Sequence, residues 1–284
     1  MKKLLIPVLA GLGLCLAQIQ ASAQEFKHQT SQKFTVSDAS KSVLAIYNIT
    51  GSVKIEGYAG NEVQIEVDET ISSRDKEDLE SVKSEYKLGF DQIGDSIICY
   101  TAAPYDTRPR RNYNNRGDGR HYNIKLEYTV KVPFNMNLRV GTVNAGDVIV
   151  KNVYGSLKVS NVNGAIDIAN AKGTTNASTV NGSVTITYAA IPNGDSRYHT
   201  INGKLDVSYP GALSADVEFK SMNGKFYTDF TNVEAMPGKV IKTEEKNARG
   251  TVYKLSKNST VRIGSGGRTF SFETLNGNIY IKKI

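Results

Sequence analysis

Val162-Asn163-Gly164-Ala165-Ile166-Asp167-Ile168 is followed by Val180-Asn181-Gly182-Ser183-Val184-Thr185-Ile186, and the phrase returns as Ile201-Asn202-Gly203-Lys204-Leu205-Asp206-Val207. Leu275-Asn276-Gly277-Asn278-Ile279-Tyr280-Ile281 repeats it near the end of the chain, and Met222-Asn223-Gly224-Lys225-Phe226-Tyr227-Thr228 is a looser copy. Earlier copies are Ile49-Thr50-Gly51-Ser52-Val53-Lys54-Ile55 and Val153-Tyr154-Gly155-Ser156-Leu157-Lys158-Val159. Two and four residues after each glycine the side chain is almost always apolar, while the residue between them is Lys54, Lys158, Asp167, Thr185, Asp206 or Tyr280. Alternation with period two marks a strand with one face buried and the other wet.

Spacing separates two architectures. Gly146, Gly155, Gly164, Gly173 and Gly182 stand nine residues apart, and the next steps, to Gly203 and Gly224, are twenty-one. Asn-Gly is also the strongest short signal for a hairpin between antiparallel strands. Hairpins do not keep one inward register over many copies, whereas stacked coils pair each strand with its equivalent one turn on. The expected fold is all-β: a single-stranded β-solenoid, or parallel β-helix, of roughly 18–21-residue rungs with Asn-Gly corners and one short helix.

The corners are Asn163-Gly164, Asn181-Gly182, Asn202-Gly203, Asn223-Gly224 and Asn276-Gly277. Glycine is expected to supply positive φ at a sharp bend, at Gly182 for instance. Asparagine tolerates such geometry, and its amide can reach the equivalent amide one rung away, since rungs lie about 4.8 Å apart. Asn163, Asn181, Asn202 and Asn223 would then form a ladder along one edge.

The remainder reads around this array. Lys2 and Lys3, the apolar run Leu4 to Leu16 and the small residues Ala21-Ser22-Ala23 describe a signal peptide over 1–23. Cys15 raises a lipoprotein alternative, but Leu12-Gly13-Leu14 puts a bulky leucine, Leu14, where a small residue is expected. Residues 24–41 are a lead-in, and 42–284 form the solenoid. Arg74 to Tyr86 is the one helix, with Leu79, Val82 and Tyr86 on one face and Ser72 or Ser73 as cap. Strands are expected at Lys33 to Val36, Ser42 to Tyr47, Ile97 to Thr101 and Tyr122 to Val132, and Glu234 to Lys257 reads as a polar interruption. After cleavage Cys99 is the sole cysteine, an apolar filler within a strand, so no internal disulfide can form. The net charge of +7 falls to +5 without Lys2 and Lys3, too small an excess to argue for nucleic acid.

Tyr128-Thr129-Val130-Lys131-Val132-Pro133, then Leu138 to Val150, then the Asn-Gly repeats resemble a bacterial adhesin-like family of exported β-solenoids, a domain of unknown function found in Bacteroidetes-type genomes. The resemblance spans Ser42 to Ile284, with the helix less typical. It implies surface adhesion by analogy and attaches no catalytic residue.

The candidate ligand site is the basic, aromatic segment 104–121, with Arg108, Arg110, Arg111, Tyr113, Arg116 and Arg120 as its binding residues. Arginine interleaved with tyrosine suits anionic sugars, lipid phosphates or nucleic acid. The alternative is a solvated excursion between two strands. Arg116-Gly117-Asp118 spells an integrin-type tripeptide of low specificity. Asp167 and Asp206 share an outward column and are the one acid pair a polysaccharide-cleaving β-helix would use, yet no further acid, His or Arg joins them. His28, His121 and His199 are scattered, and the position after each turn, Ser156, Ala165, Ser183 or Lys204, cannot build a calcium cage. The sequence therefore reads as an exported, non-enzymatic binding module without metal or cofactor, monomeric and without a transmembrane span. Its ligand is an unidentified cell-envelope or extracellular one, an anionic glycan or a protein. A periplasmic scaffold or regulatory partner is the alternative, and a carbohydrate-active enzyme is a third.

Overall fold

A computed structural model of the chain describes residues 24–109, 119–247 and 250–284. The signal peptide expected over 1–23 lies outside the described residues. The N-terminal part holds β1 (Gln24–Thr35), β2 (Val43–Tyr47), β3 (Val53–Tyr58), β4 (Glu62–Ser73), α1 (Lys76–Glu85), β5 (Lys87–Ile93), β6 (Ser96–Ala103) and β7 (Tyr122–Pro133). The repeat region supplies β8 (Asn137–Gly141), β9 (Val148–Lys151), β10 (Leu157–Ser160), β11 (Ile166–Ala171), β12 (Thr175–Ser178), β13 (Val184–Tyr188), β14 (Ser196–Asn202) and β15 (Leu205–Tyr209). The C-terminal part adds β16 (Ala215–Asn223), β17 (Phe226–Thr228), β18 (Val233–Asn247), β19 (Gly250–Ile263), β20 (Arg268–Asn276) and β21 (Ile279–Lys283).

These strands make two large mixed sheets, and neither closes into a barrel. The first runs β1-β4-β7-β3-β9-β11-β13-β15-β21-β17 and the second β18-β19-β16-β20-β14-β12-β10-β8-β2-β6-β5. From β8 to β15 successive strands alternate between the sheets, and each pairs in parallel with the strand two places on. Ile166 faces Val184, which faces Leu205, and on the other sheet Leu157 faces Thr175. The residues two and four after each glycine point inward: Val148, Val150, Leu157, Val159, Ile166, Ile168, Val184, Ile186, Leu205 and Val207 are all buried. Each such side chain contributes about 1.5–3 kcal/mol relative to exposure, so the alternation specifies which face of each strand turns inward.

The Asn-Gly turns are held by three columns of residues. Asn163 donates to Asn144 at 2.7 Å, Asn181 to Asn163 at 2.8 Å and Asn202 to Asn181 at 2.8 Å. The glycines meet backbone to backbone: a Cβ on Gly182 would stand 2.1 Å from the carbonyl oxygen of Gly164, and one on Gly203 would stand 2.0 Å from that of Gly182. Gly182 is not in the left-handed region, which corrects the expectation of positive φ there. What excludes a side chain is the close approach of the neighbouring turn. The third column is buried and polar. Thr179, Thr200 and Thr274 donate to the carbonyls of Gly164, Gly182 and Gly203 at 2.9, 2.8 and 3.2 Å, and Asn161 donates to that of Gly146 at 3.0 Å. Each satisfies a carbonyl that the tight stacking shuts off from water.

Both ends of the stack break chain order. β20 lies between β14 and β16, and β21 between β15 and β17, so the last copy of the repeat is intercalated before the one at Met222. The asparagine ladder consequently runs from Asn202 to Asn276 and only then to Asn223, rather than directly from Asn202 to Asn223. Likewise β2 sits between β6 and β8, and β3 between β7 and β9. Residues read as a polar interruption, Glu234 to Lys257, belong instead to the long antiparallel pair β18 and β19. The sequence signal there is weak because polar and charged residues interrupt the apolar alternation, as in Lys242-Thr243-Glu244-Glu245-Lys246-Asn247. The helix is shorter than its sequence signal: Asp75 caps it by accepting from the Glu77 N–H at 2.8 Å, while Ser73 accepts from the Asp75 N–H instead of capping. Leu79 and Val82 are its buried residues.

Toward the C-terminal end the interior becomes aromatic. Tyr188 stacks on Tyr209 at 5.0 Å, Tyr209 on Phe270 at 5.2 Å, and Tyr198 lies against Phe272 at 4.6 Å. The Tyr198 hydroxyl bridges those of Tyr188 and Tyr209, each at 2.8 Å. A buried tyrosine is tolerated when its hydroxyl is partnered.

Candidate binding face

The two described arginines of the expected basic site are engaged within the protein. The Arg108 guanidinium bonds Asp106 at 2.6 Å and Asp91 at 3.0 Å and lies 3.9 Å over the Tyr100 ring. Thr107 donates to the Tyr47 carbonyl at 2.8 Å, so this stem is pinned onto β2 and β6. Arg120 donates to Ser81 at 3.0 Å and to Glu85 at 2.9 Å, and its neighbour His121 donates its backbone N–H to Asp78 at 2.8 Å, which ties the other stem to α1. Arg110, Arg111, Tyr113 and Arg116, with the Arg-Gly-Asp tripeptide, lie outside the described residues.

A different set of cations gathers on the outer face of the second sheet. Arg139 on β8, Lys158 on β10, Asn176 on β12 and Arg197 on β14 occupy one register line, continued by Ser271 on β20 and Glu218 on β16. Period two turns them outward because Leu138, Val140, Leu157, Val159, Ala177 and Tyr198 beside them are buried. Arg139, Lys158, Asn176 and Arg197 are exposed. Among the described residues none of the three cations makes an ion pair, in contrast to Arg108 and Arg120. They line a groove of about 710 Å³ with Ser156, Thr174, Asn176 and Ser271. An adjoining hollow of about 630 Å³ is lined by Arg139, Lys158, Tyr47 and Pro109, a residue of the basic segment.

The opposite face behaves differently. Asp167, Thr185 and Asp206 lie on one line of the first sheet. Asp206 is clamped by Lys282 at 2.8 Å and Lys204 at 3.0 Å. Burial pushes its carboxyl up, but these two ammonium groups outweigh that and hold it below the usual carboxylate value. Asp167 has its carboxyl raised, chiefly by burial. Asp206, one member of the acid pair singled out in the sequence, is thus held as a carboxylate by two lysines. Cys99 is buried, and burial pushes its thiol far up, away from the thiolate needed for reactivity. Among the described residues no group of three or more His, Cys, Asp and Glu is placed to hold a metal ion, and no helix is long and apolar enough to cross a membrane.

The sequence contained Lys158 in its outward column, but read all copies as one column. Successive nine-residue steps alternate between the sheets, so that column mixes two faces. Separated by sheet, Arg139, Lys158 and Arg197 fall together, apart from Asp167 and Asp206.

No family model matches the chain, and no curated protein matches it in sequence. Solved structures that match the chain include a provisionally named cell adhesion protein from Clostridium sporogenes (TM-score 0.44, 11% identity, covering 91% of this chain and 100% of that one). Others are a provisionally named adhesin from Bacteroides fragilis (TM-score 0.35, 10% identity, 90% and 97% covered) and a provisionally named lipid binding protein from Parabacteroides distasonis (TM-score 0.29, 10% identity, 90% and 96% covered).

Proposed function

We propose that this chain is an exported, non-enzymatic β-solenoid that presents a stiff, repetitive surface to a ligand of the cell envelope or its surroundings. The observation that carries the reading is the unbroken amide ladder joining Asn144, Asn163, Asn181, Asn202, Asn276 and Asn223. Such a ladder fixes the outward columns in one register over the length of the stack, which is what a recognition surface needs. The clamped Asp206 and the inert Cys99 argue for binding rather than turnover. The signal-like residues 1–23 supply the route of export. Digestion by protease added to intact cells is the test. Cleavage on intact cells places the surface outside and favours an adhesive role. Protection until the outer membrane is opened leaves a periplasmic scaffold or regulatory partner. A cytoplasmic pool with residues 1–23 uncut overturns the reading.

A further inference from the structure

We infer that the groove over the second sheet binds a linear anionic polysaccharide, with Arg139, Lys158 and Arg197 as its anchoring cations. This rests on the proposed reading of the protein as a binding surface and adds the site and the ligand class. The three cations stand on β8, β10 and β14, so the outer pair is three strand steps apart, about 14 Å at ~4.8 Å per step. A cluster suited to one phosphate would converge its donors on a point. These are strung along the stack, as a chain of regularly spaced charges requires.

The rest of the lining agrees with a sugar polymer. Between and beside the cations stand Ser156, Thr174, Asn176 and Ser271, short hydroxyl and amide groups that can exchange hydrogen bonds with sugar hydroxyls. Leu138 and Leu157, which also border the groove, are buried, so the lining leaves little place for an acyl chain. None of its lining residues is aromatic, so it has no stacking platform for nucleic acid bases. At the far end Glu218 and Asp195 reverse the sign and set a limit to an anionic chain. Asp195 itself accepts the Thr269 N–H at 2.9 Å.

The probe is a series of galacturonate oligomers measured by calorimetry on the purified protein, with the methyl-esterified oligomers as neutral control. Affinity should climb with length until the oligomer spans Arg139 to Arg197, then level off, and should weaken by roughly tenfold or more between low and physiological salt. Arg139→Gln, Lys158→Gln and Arg197→Gln should each weaken binding roughly fivefold, and the triple variant should abolish it. Lys54→Gln with Lys151→Gln, which removes two positive charges from the other sheet, should leave binding unchanged. The melting temperature of the triple variant should match the parent, because all three side chains are exposed. Binding that survives the triple variant, or fails to depend on length, overturns the inference. Capture of phosphatidylglycerol vesicles in place of the oligomers, lost in the triple variant, overturns the ligand class but leaves the binding-surface reading standing. If the oligomers and the vesicles both fail to bind, the inference falls, and the export test then decides the broader reading alone.

Discussion

The side-chain amide of Asn276 donates to Asn202 at 2.7 Å across 74 residues of sequence, and Asn223 donates to Asn276 at the same distance. The strands β20 and β21 are therefore a keystone, wedged between strands that precede them in the chain. Until residues 268–284 arrive, β16 and β17 have no partner of their own on the side facing β14 and β15.

Removing residues 268–284 should thus undo more than their own strands. They bury Phe270, Phe272, Ile279 and Ile281, each worth about 1.5–3 kcal/mol. The truncated chain is expected to lose its single cooperative melt and to become protease-sensitive across β16 to β19. A synthetic peptide of residues 268–284 added in trans should restore protection. A truncated chain that melts like the parent would show that the keystone is dispensable.

Close approach, rather than backbone sign, governs the corner glycines. Gly182→Ala forces a Cβ to 2.1 Å from the Gly164 carbonyl and should cost about 3 kcal/mol. Gly94 has φ of +56° and open space around it, so Gly94→Ala should cost only about 1 kcal/mol. Urea denaturation of the two variants ranks them directly. Equal midpoints would refute the packing account.

Two buried tyrosines should respond oppositely to loss of a hydroxyl. Tyr198→Phe strands the buried Tyr209 hydroxyl, which it bridges at 2.8 Å, and should destabilise by about 2 kcal/mol. Among the described residues the buried Tyr128 hydroxyl has no hydrogen-bond partner, so Tyr128→Phe should be neutral or stabilise by up to about 1 kcal/mol. Thermal melts of both variants check this, and a Tyr128→Phe variant as damaged as Tyr198→Phe would contradict it.

The parts of this fold that repeat locally were legible in the sequence, and those set by long-range insertion were not. Val184, Thr185 and Ile186 announce a half-buried strand by themselves. Nothing near Asn276 says that it will lie between Asn202 and Asn223, because that order depends on which coil edges remain open when the chain returns. The third corner column was readable and was missed: Asn161, Thr179, Thr200, Ser221 and Thr274 each stand three residues before a glycine, and each donates to the glycine carbonyl one coil away. The basic segment drew the reading because its arginines lie close together in sequence. Arg139 and Arg197 are 58 residues apart in sequence, and only the alternation of coils between two sheets makes them neighbours on one face.

Acid should act on the two aspartates of the other face with opposite sign. Asp206 has a depressed folded pKa despite its burial, because Lys282 and Lys204 hold the carboxylate. Its contribution is present above the unfolded value near 3.9 and is lost as pH falls through the folded one. Asp167 has a raised folded pKa, chiefly from burial, so its contribution is full below the unfolded value and is lost as pH rises through the folded one. Asp206→Asn should therefore lower stability at pH 7, and the difference should shrink as pH falls through the depressed folded value. Asp167→Asn should raise stability at pH 7, and near pH 3 the gain should vanish. Urea midpoints for the parent and both variants across this range read the signs. A variant pair that shifts in the same direction at pH 7 would mean that the lysine clamp on Asp206 does not outweigh the cost of its burial.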